Sequence, residues 1–279
     1  MHVTGLFIYP VKSCRGISLS HASLDSLGLV GDRRFLIVDA DGKFITQRTH
    51  LALIQIGTAL DSTYLTLSHP KLPPLRVPLT AATDADTPPP VLRSVSVWST
   101  RGLQAEDCGP AANAWISEAL GQHAHLVRIG SAFHRPVGDL GDATGFADGY
   151  PLLVISEASL ANLNDRLLER GDDPVPMDRF RPNLVISGSD AFAEDTWPRL
   201  RVGDATFRSA GPCARCIVTT TDQLTGARTP EPLRTLATYR RDLVKSANVN
   251  FGQNLINESK SGLIRIGDTC EPLPPSAQK

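Results

Sequence analysis

The apolar runs of this 279-residue chain are strand-sized. The longest, such as Leu6 to Tyr9 and Leu152 to Ile155, fall far short of the roughly 18 consecutive apolar residues a membrane helix needs. Hydrophobic residues must therefore be buried by many short elements. In the first hundred residues, runs rich in Val, Ile, Leu, Thr and Phe recur at Val3 to Tyr9, Ile17 to Leu24, Arg33 to Asp39, Lys43 to Gln47, Leu53 to Leu60, Tyr64 to His69 and Val91 to Trp98, and they read as strands. Turns at Gly28 to Gly31 and at Asp41-Gly42 punctuate them. Between His69 and Pro90 stand seven prolines, too many for a central strand, which predicts an exposed loop or a sheet edge.

Helices are few. Pro110 suits a first helical turn, Trp115, Ile116, Ala119 and Leu120 fall at helical spacing, and Gly121 supplies a stop. Ser156 is placed to cap a second helix whose Leu160, Leu163 and Leu167 share a face until Gly171. The Gly-, Asp- and Ser-rich stretch from Gly130 to Gly149 reads as a long loop between two units, which puts a boundary near residue 125 and gives domains 1–125 and 126–279. Beyond it, strands are expected at Leu152 to Ile155, Asn183 to Ser187, Leu200 to Val202, Ala205 to Ser209, Ile217 to Thr221, Val249 to Ile256 and Leu263 to Ile266, with a short helical piece near Leu233 to Tyr239. The fold class is a β-rich α+β chain.

Composition removes several function classes. At 41% hydrophobic and 20% charged residues the chain is a folded protein, and 28 Lys+Arg against 29 Asp+Glu leave no cationic excess for nucleic acid or an anionic membrane. Met1 to Arg15 lacks a basic leader followed by an apolar run, so the expected setting is cytoplasmic and reducing. No Gly-x-Gly-x-x-Gly, Gly-x4-Gly-Lys-Ser/Thr, Gly-x-Ser-x-Gly or His-Glu-x-x-His pattern occurs. Five cysteines form an odd set without framework spacing, which argues against a disulfide scaffold.

The strongest chemical signal is Gly211-Pro212-Cys213-Ala214-Arg215-Cys216, two thiols around a guanidinium in a rigid turn. Cationic neighbours favour the thiolate, the form that attacks electrophiles or binds soft metals. A structural zinc site lacks its second ligand pair, and a thioredoxin-like pair should open a helix rather than precede β-type residues. Two idle buried thiols stay open on spacing alone. A second cluster, Asp178-Arg179-Phe180-Arg181-Pro182-Asn183, is either a solvated loop with an ion pair or an anion site, because guanidinium forks match phosphate. Lys12-Ser13 and Asp32-Arg33 offer further cations on N-terminal loops.

Taken in order, Tyr9 to Gly16, Gly31-Asp32-Arg33, Phe146 to Pro151, Ser156 to Leu160, Arg179 to Asn183, Cys213 to Cys216 with Thr219-Thr220, and Phe251 to Asn254 resemble one family. It is that of the MOSC-domain molybdenum enzymes with an N-terminal β-barrel domain, which includes bacterial YcbX-type proteins and the mitochondrial amidoxime-reducing component. The resemblance implies an N-terminal β-barrel-like domain and a C-terminal MOSC β-barrel domain holding a molybdenum cofactor (Mo-molybdopterin). It implies Cys216 as the catalytic metal ligand, with Cys213 as a supporting or idle thiol. Lys12, Ser13, Arg33, Arg181, Asn183 and Arg215 correspond to contacts with the pterin and its phosphate. Ser156, at a helix start that favours anions, is a further candidate, with Arg179 and Asn254.

The implied activity is reduction of small N-hydroxylated substrates (N-hydroxylated bases, amidoximes, hydroxylamines) by oxygen-atom removal. The chain shows no Cys-x4-Cys-x2-Cys run, so electrons are expected from a separate electron-transfer protein: a ferredoxin, a flavoprotein or a b-type cytochrome system. It shows no membrane anchor like that of the mitochondrial relatives, which fits the cytoplasmic expectation. A molybdenum-cofactor or persulfide sulfur carrier is the competing reading, and a thiol redox protein using Cys213 and Cys216 is a third.

Overall fold

The computed structural model of the chain describes residues 1–81 and 88–276; residues 82–87 of the proline-rich stretch lie outside the described residues. The first half forms β1 (His2–Ile8), β2 (Ile17–Leu19), β3 (His21–Asp25), β4 (Gly28–Leu29), β5 (Phe35–Val38), β6 (Gly57–Leu60), β7 (Tyr64–His69), β8 (Leu72–Pro78), β9 (Leu92–Val97), β10 (Thr100–Asp107), α1 (Pro110–Leu120) and β11 (His125–Arg128). The second half adds β12 (Pro136–Val137), β13 (Asp142–Ala143), β14 (Leu152–Ser156), α2 (Glu157–Glu169), β15 (Leu184–Ser187), β16 (Arg199–Val202), β17 (Ala205–Ala214), α3 (Leu233–Leu236), β18 (Asn250–Asn257), β19 (Leu263–Arg265) and β20 (Cys270–Leu273). The β-rich α+β architecture is the one the sequence predicts.

An eight-stranded sheet dominates, in the order β2-β1-β15-β14-β18-β17-β16-β20. β14 and β15 run parallel, and α2 makes the crossover that parallel neighbours require. Val3, Leu6 and Ile8 of β1 are buried with Val154, Leu184, Ile186, Leu200 and Phe207, so the first strand of the chain belongs to the core of this sheet. β5, β11, β10 and β9 form a second sheet, and β6, β7 and β8 a third, packed with α1 around Trp115 and Ile116. In the proline-rich stretch, β8 is an edge strand, where Pro73, Pro74 and Pro78 remove no central ladder bond.

Local chemistry explains where the elements depart from expectation. Lys43 to Gln47 is no strand: Asp39 takes the N–H groups of Asp41 and Lys43 in a turn, and isolated bridges at Lys43 and Phe44 are all the ladder that forms. Ile217 to Thr220 is a 3-10 turn instead of a strand, because the Thr219 and Thr220 hydroxyls donate to the carbonyls of Cys216 and Ile217 three residues back. β10 and β11 are strands the sequence reading passed over. In β10 only Leu103, Ala105 and Glu106 are buried, among half-buried Thr100, Gln104 and Asp107 and exposed Arg101 and Gly102, which leaves little apolar signal. α1 ends as predicted, with Gly121 in the left-handed region at φ 65°.

Candidate functional site

β17 bulges as it leaves the large sheet. Its register against β18 shifts between Ser209 and Pro212, and Gly211 takes φ 94°, a conformation that a side chain would strain. The chain then pairs Ala214 with Asn250, anchors Arg215 N–H on the Val249 carbonyl at 2.8 Å, and turns at Cys216 into the 3-10 segment. The Thr219 N–H and hydroxyl both donate to the Cys216 carbonyl, at 3.0 and 2.9 Å, so the backbone of this cysteine is fixed. Cys216 is half-buried, as is Cys213, whose sulfur accepts from Arg215 Nη1 at 2.8 Å. Burial pushes the thiols of Cys14, Cys108 and Cys270 up to about 12, which keeps them protonated and inert.

Both cysteines line a cavity of about 250 Å³ walled from the two halves of the chain. Lys12 and Ser13 reach it from the loop after β1, which is pinned where Lys12 N–H donates to Phe35 O at 3.0 Å. Arg33 comes from the loop before β5, Arg181 and Asn183 from the segment before β15, and Asn254 from β18. Asn254 donates to the Pro212 carbonyl at 3.2 Å. Ser13, Arg33 and Arg181 hold φ of 69°, 47° and 54°, in the left-handed region that non-glycine residues seldom occupy. Such strain concentrates where a structure over-determines a site.

The cations divide by what neutralises them. Lys12, 6% exposed, pairs with Asp148. Burial lowers the Lys12 pKa, against the pull of that carboxylate. Desolvation works against the Asp148 carboxylate, and Lys12 with the Trp98 indole N–H outweighs it, holding the carboxyl far below its usual range. Arg33 pairs with Asp32 at 2.6 Å and donates to Asn183 Oδ1 at 3.1 Å. Arg181 and Arg215 have no carboxylate within ion-pair distance among the described residues. Arg181 donates to the Cys14 carbonyl at 2.8 Å, Arg215 to the Phe180 carbonyl at 2.6 Å, and the buried Nε of Arg215 has no partner among the described residues. Burial lowers the Arg181 pKa. Unpaired cations in a cavity wall suit an anionic ligand, and a half-buried thiol beside them suits a soft metal.

Comparison with known proteins follows the same division. The family model described as the MOSC N-terminal beta barrel domain matches residues 1–123, and the MOSC domain matches residues 142–271. Mitochondrial amidoxime-reducing component 1 of Homo sapiens is 36% identical over 287 residues, covering 95% of this chain and 81% of the relative. The chain belongs to the MOSC family. Mitochondrial amidoxime reducing component 2 of Homo sapiens is 32% identical over 285 residues, covering 95% of the MOSC chain and 82% of the relative. Molybdenum cofactor sulfurase of Oryza sativa subsp. japonica is 35% identical over 272 residues, 90% of this chain and 32% of that longer protein.

Two residues expected at the MOSC site lie elsewhere. Ser156 is fully buried and does not line the cavity; its hydroxyl caps α2 by accepting from Ser159 N–H at 3.0 Å. The anion favoured at that helix start is the chain's own Glu194, which accepts from Ser156 N–H at 3.2 Å and the Ser159 hydroxyl at 2.7 Å. Arg179 is also outside the cavity wall, because its guanidinium turns to Asp222 at 3.0 Å. Asn183 lines the cavity with its carboxamide spent on protein partners, Oδ1 accepting from Arg33 and Leu153 and Nδ2 donating to Phe7 O.

Other lining residues escaped the sequence reading. Gln47 and Arg48 arrive on the loop after Phe44, and Asp148 and Tyr150 on the loop before β14. Asp148 and Tyr150 lay within a recognised motif, whereas nothing local marks Gln47 or Arg48. Their placement depends on Arg228, which donates to the Arg48 carbonyl at 3.2 Å and to the Gln47 carbonyl from the other half of the chain.

Proposed function

We propose that this MOSC chain is a molybdenum-cofactor-dependent reductase of N-hydroxylated compounds, with Cys216 as the protein's ligand to the metal. The observation that carries the reading is a half-buried thiol in a cavity whose wall also holds Arg181 and Arg215 without carboxylate partners. The residues fit such a group: sulfur suits a soft metal, and the orphaned Nε of Arg215 and the uncompensated Arg181 suit a phosphate. When bound, the cofactor supplies the two-electron oxygen-removal chemistry, while the protein binds and orients it. Similarity to relatives named for amidoxime reduction supports the substrate class.

In this reading the chain's residues divide the work. Cys216 is presented by a backbone locked through Thr219, Arg181 and Arg215 hold negative charge, and Asn183 fixes Arg33. Lys12 and Asp148 form an ion pair in the cavity wall. Converting an N-hydroxyl to N–H and water consumes two electrons and two protons, so a separate electron-transfer protein (a ferredoxin, flavoprotein or b-type cytochrome) delivers the electrons. Residues 1–125 and 126–279 each supply part of the cavity wall, while β1 pairs across that boundary with β15 and β11 straddles it. No helix among the described residues is long and apolar enough to cross a membrane, and the proposed location is cytoplasmic.

The test is metal and pterin content of the chain made in cells that synthesise molybdopterin, beside Cys216→Ser, followed by reduction of an aryl amidoxime with dithionite-reduced viologen. Near-stoichiometric molybdenum and turnover that Cys216→Ser abolishes are expected. A folded chain with neither metal nor pterin overturns the reading. The relative named as a sulfurase favours a second one, a persulfide carrier on Cys216. Sulfur released from Cys216 by cyanide, without metal, is its signature.

A further inference from the structure

Tyr9 follows β1 and is 4% exposed. Two guanidiniums sit against its ring, with Arg33 Cζ 4.5 Å and Arg181 Cζ 4.1 Å from the ring centroid. The tyrosine is tied to both segments that carry these arginines. Its hydroxyl donates to the Pro182 carbonyl at 3.1 Å, next to Arg181, and its N–H donates to Asp32 Oδ1 at 2.8 Å, next to Arg33. Arg33 N–H in turn donates to the Tyr9 carbonyl at 2.9 Å. Burial pushes the Tyr9 phenol up to about 12, so the hydroxyl remains a proton donor throughout neutral pH.

Like charges this close repel, and among the described residues only Arg33 has a carboxylate to offset that. Arg181 keeps its place with one carbonyl contact and the aromatic face. Both arginines also hold left-handed backbone, a conformation that persists only where the surrounding structure over-determines it. A ring quadrupole attracts a cation without neutralising its charge. This support leaves the Arg181 guanidinium available to a ligand, and the carboxylate and carboxamide contacts of Arg33 both fall on its Nη1, so its other nitrogens are not spent on them.

We infer that Tyr9 is a positioning residue, an aromatic seat that holds Arg33 and Arg181 together in the cavity wall for an anion of the phosphate class. The inference rests on the cavity being an anion site, as proposed above, but not on molybdenum. A ring that merely fills the core would tolerate an aliphatic residue of similar bulk without affecting anion binding.

Pyrophosphate binding to the purified full chain, without cofactor, is the test. Tyr9→Leu removes the ring, and Tyr9→Phe keeps it while losing the Pro182 bond. The expected result is at least about tenfold weaker binding for Tyr9→Leu, less than about threefold for Tyr9→Phe, and losses in Arg33→Gln and Arg181→Gln like that of Tyr9→Leu. A folded Tyr9→Leu that binds like wild type overturns the inference, as does a Tyr9→Phe as weak as Tyr9→Leu, or a wild type that does not bind.

If Tyr9→Leu does not fold, the arginine side-chain NMR signals of the wild type decide. Ring-current shifts on both Arg33 and Arg181 that move together on titration support the seat. Unshifted or unmoved signals overturn it. A chain that takes up no molybdenum or pterin in molybdopterin-competent cells, yet whose pyrophosphate binding depends on the Tyr9 ring, keeps the seat and removes the reductase reading alone.

Discussion

Lys12 and Arg33 each stand beside a carboxylate, whereas Arg181 and Arg215 have carbonyls, a thiol and aromatic rings for neighbours. The two kinds of cation should respond differently to mutation. Charge-assisted hydrogen bonds contribute about 1.5–3 kcal/mol, so Arg181→Gln or Arg215→Gln should lower pterin retention on dialysis roughly tenfold or more, read as bound pterin after gel filtration. Equal retention to wild type in both variants would remove them from the anion site. Asp148 gives a pH signature. Its pKa is depressed on folding, so between that value and the unfolded value of about 3.9 the unfolded chain binds more protons. The stability the pair contributes is therefore complete above about pH 5 and is lost as pH falls. Asp148 is 64% exposed, so water screens the pair. Asp148→Asn, which strands the buried Lys12 ammonium, should cost about 1–2 kcal/mol at pH 7. The difference between the denaturant melts of the two proteins should shrink progressively as pH falls below about 4, and a difference independent of pH would refute the assignment. Cys216, Arg181 and Arg215 stand out in the sequence because each lies in a contiguous cluster of thiols and cations, and the fold brings those clusters to one cavity. The distinction between paired and unpaired cations does not, since Asp148 lies 136 residues from Lys12.

At the scale of the element, α2 and the 217–220 turn show how one local signal serves two ends. Ser156 reads correctly as a helix cap and incorrectly as a ligand contact, because a cap satisfies backbone N–H groups whether or not an anion is bound. Here Glu194 supplies the negative charge from a separate segment, and no spacing in the sequence announces that. Ser156→Ala should therefore cost about 1 kcal/mol in thermal or denaturant stability while pterin content stays at the wild-type level. A fall in pterin with unchanged stability would return Ser156 to the site. The thiol turn follows the same logic. β-branched Ile217, Val218, Thr219 and Thr220 read as a strand, yet two threonine hydroxyls reach back to carbonyls and close a 3-10 turn. Thr219→Val keeps the branched shape and deletes the bond to the Cys216 carbonyl. It should leave unfolding nearly unchanged and reduce turnover per bound molybdenum several-fold, measured with viologen as donor.

Across the whole molecule, the two matched family segments meet in sequence between residues 123 and 142, but the sheets do not respect that interval. β1 lies between β2 and β15, inside the eight-stranded sheet otherwise built largely from residues 152–273, and β3 pairs with β19. The sequence shows a strand at Val3 to Tyr9 but cannot show its partner, since pairing β1 with β15 joins residues about 180 apart, as in His2 with Ser187. The consequence is testable by truncation. Val3, Leu6 and Ile8 are 0–3% exposed in the core of the large sheet, and burial of such side chains contributes about 2 kcal/mol each. Their sum, about 6 kcal/mol, is comparable with the entire net stability of an ordinary domain. Deleting residues 1–30 should leave the remainder unfolded by circular dichroism, although it keeps Cys216, Arg181 and Arg215. A peptide of residues 1–30 added in trans should restore part of the signal, whereas one carrying Leu6→Asp should not. A truncated chain that folds and melts like the full one would mean that β1 is an accessory strand. The cavity argues for the stronger outcome, because β1 leads into Tyr9, Lys12 and Ser13, so the strand that completes the sheet also delivers one wall of the site.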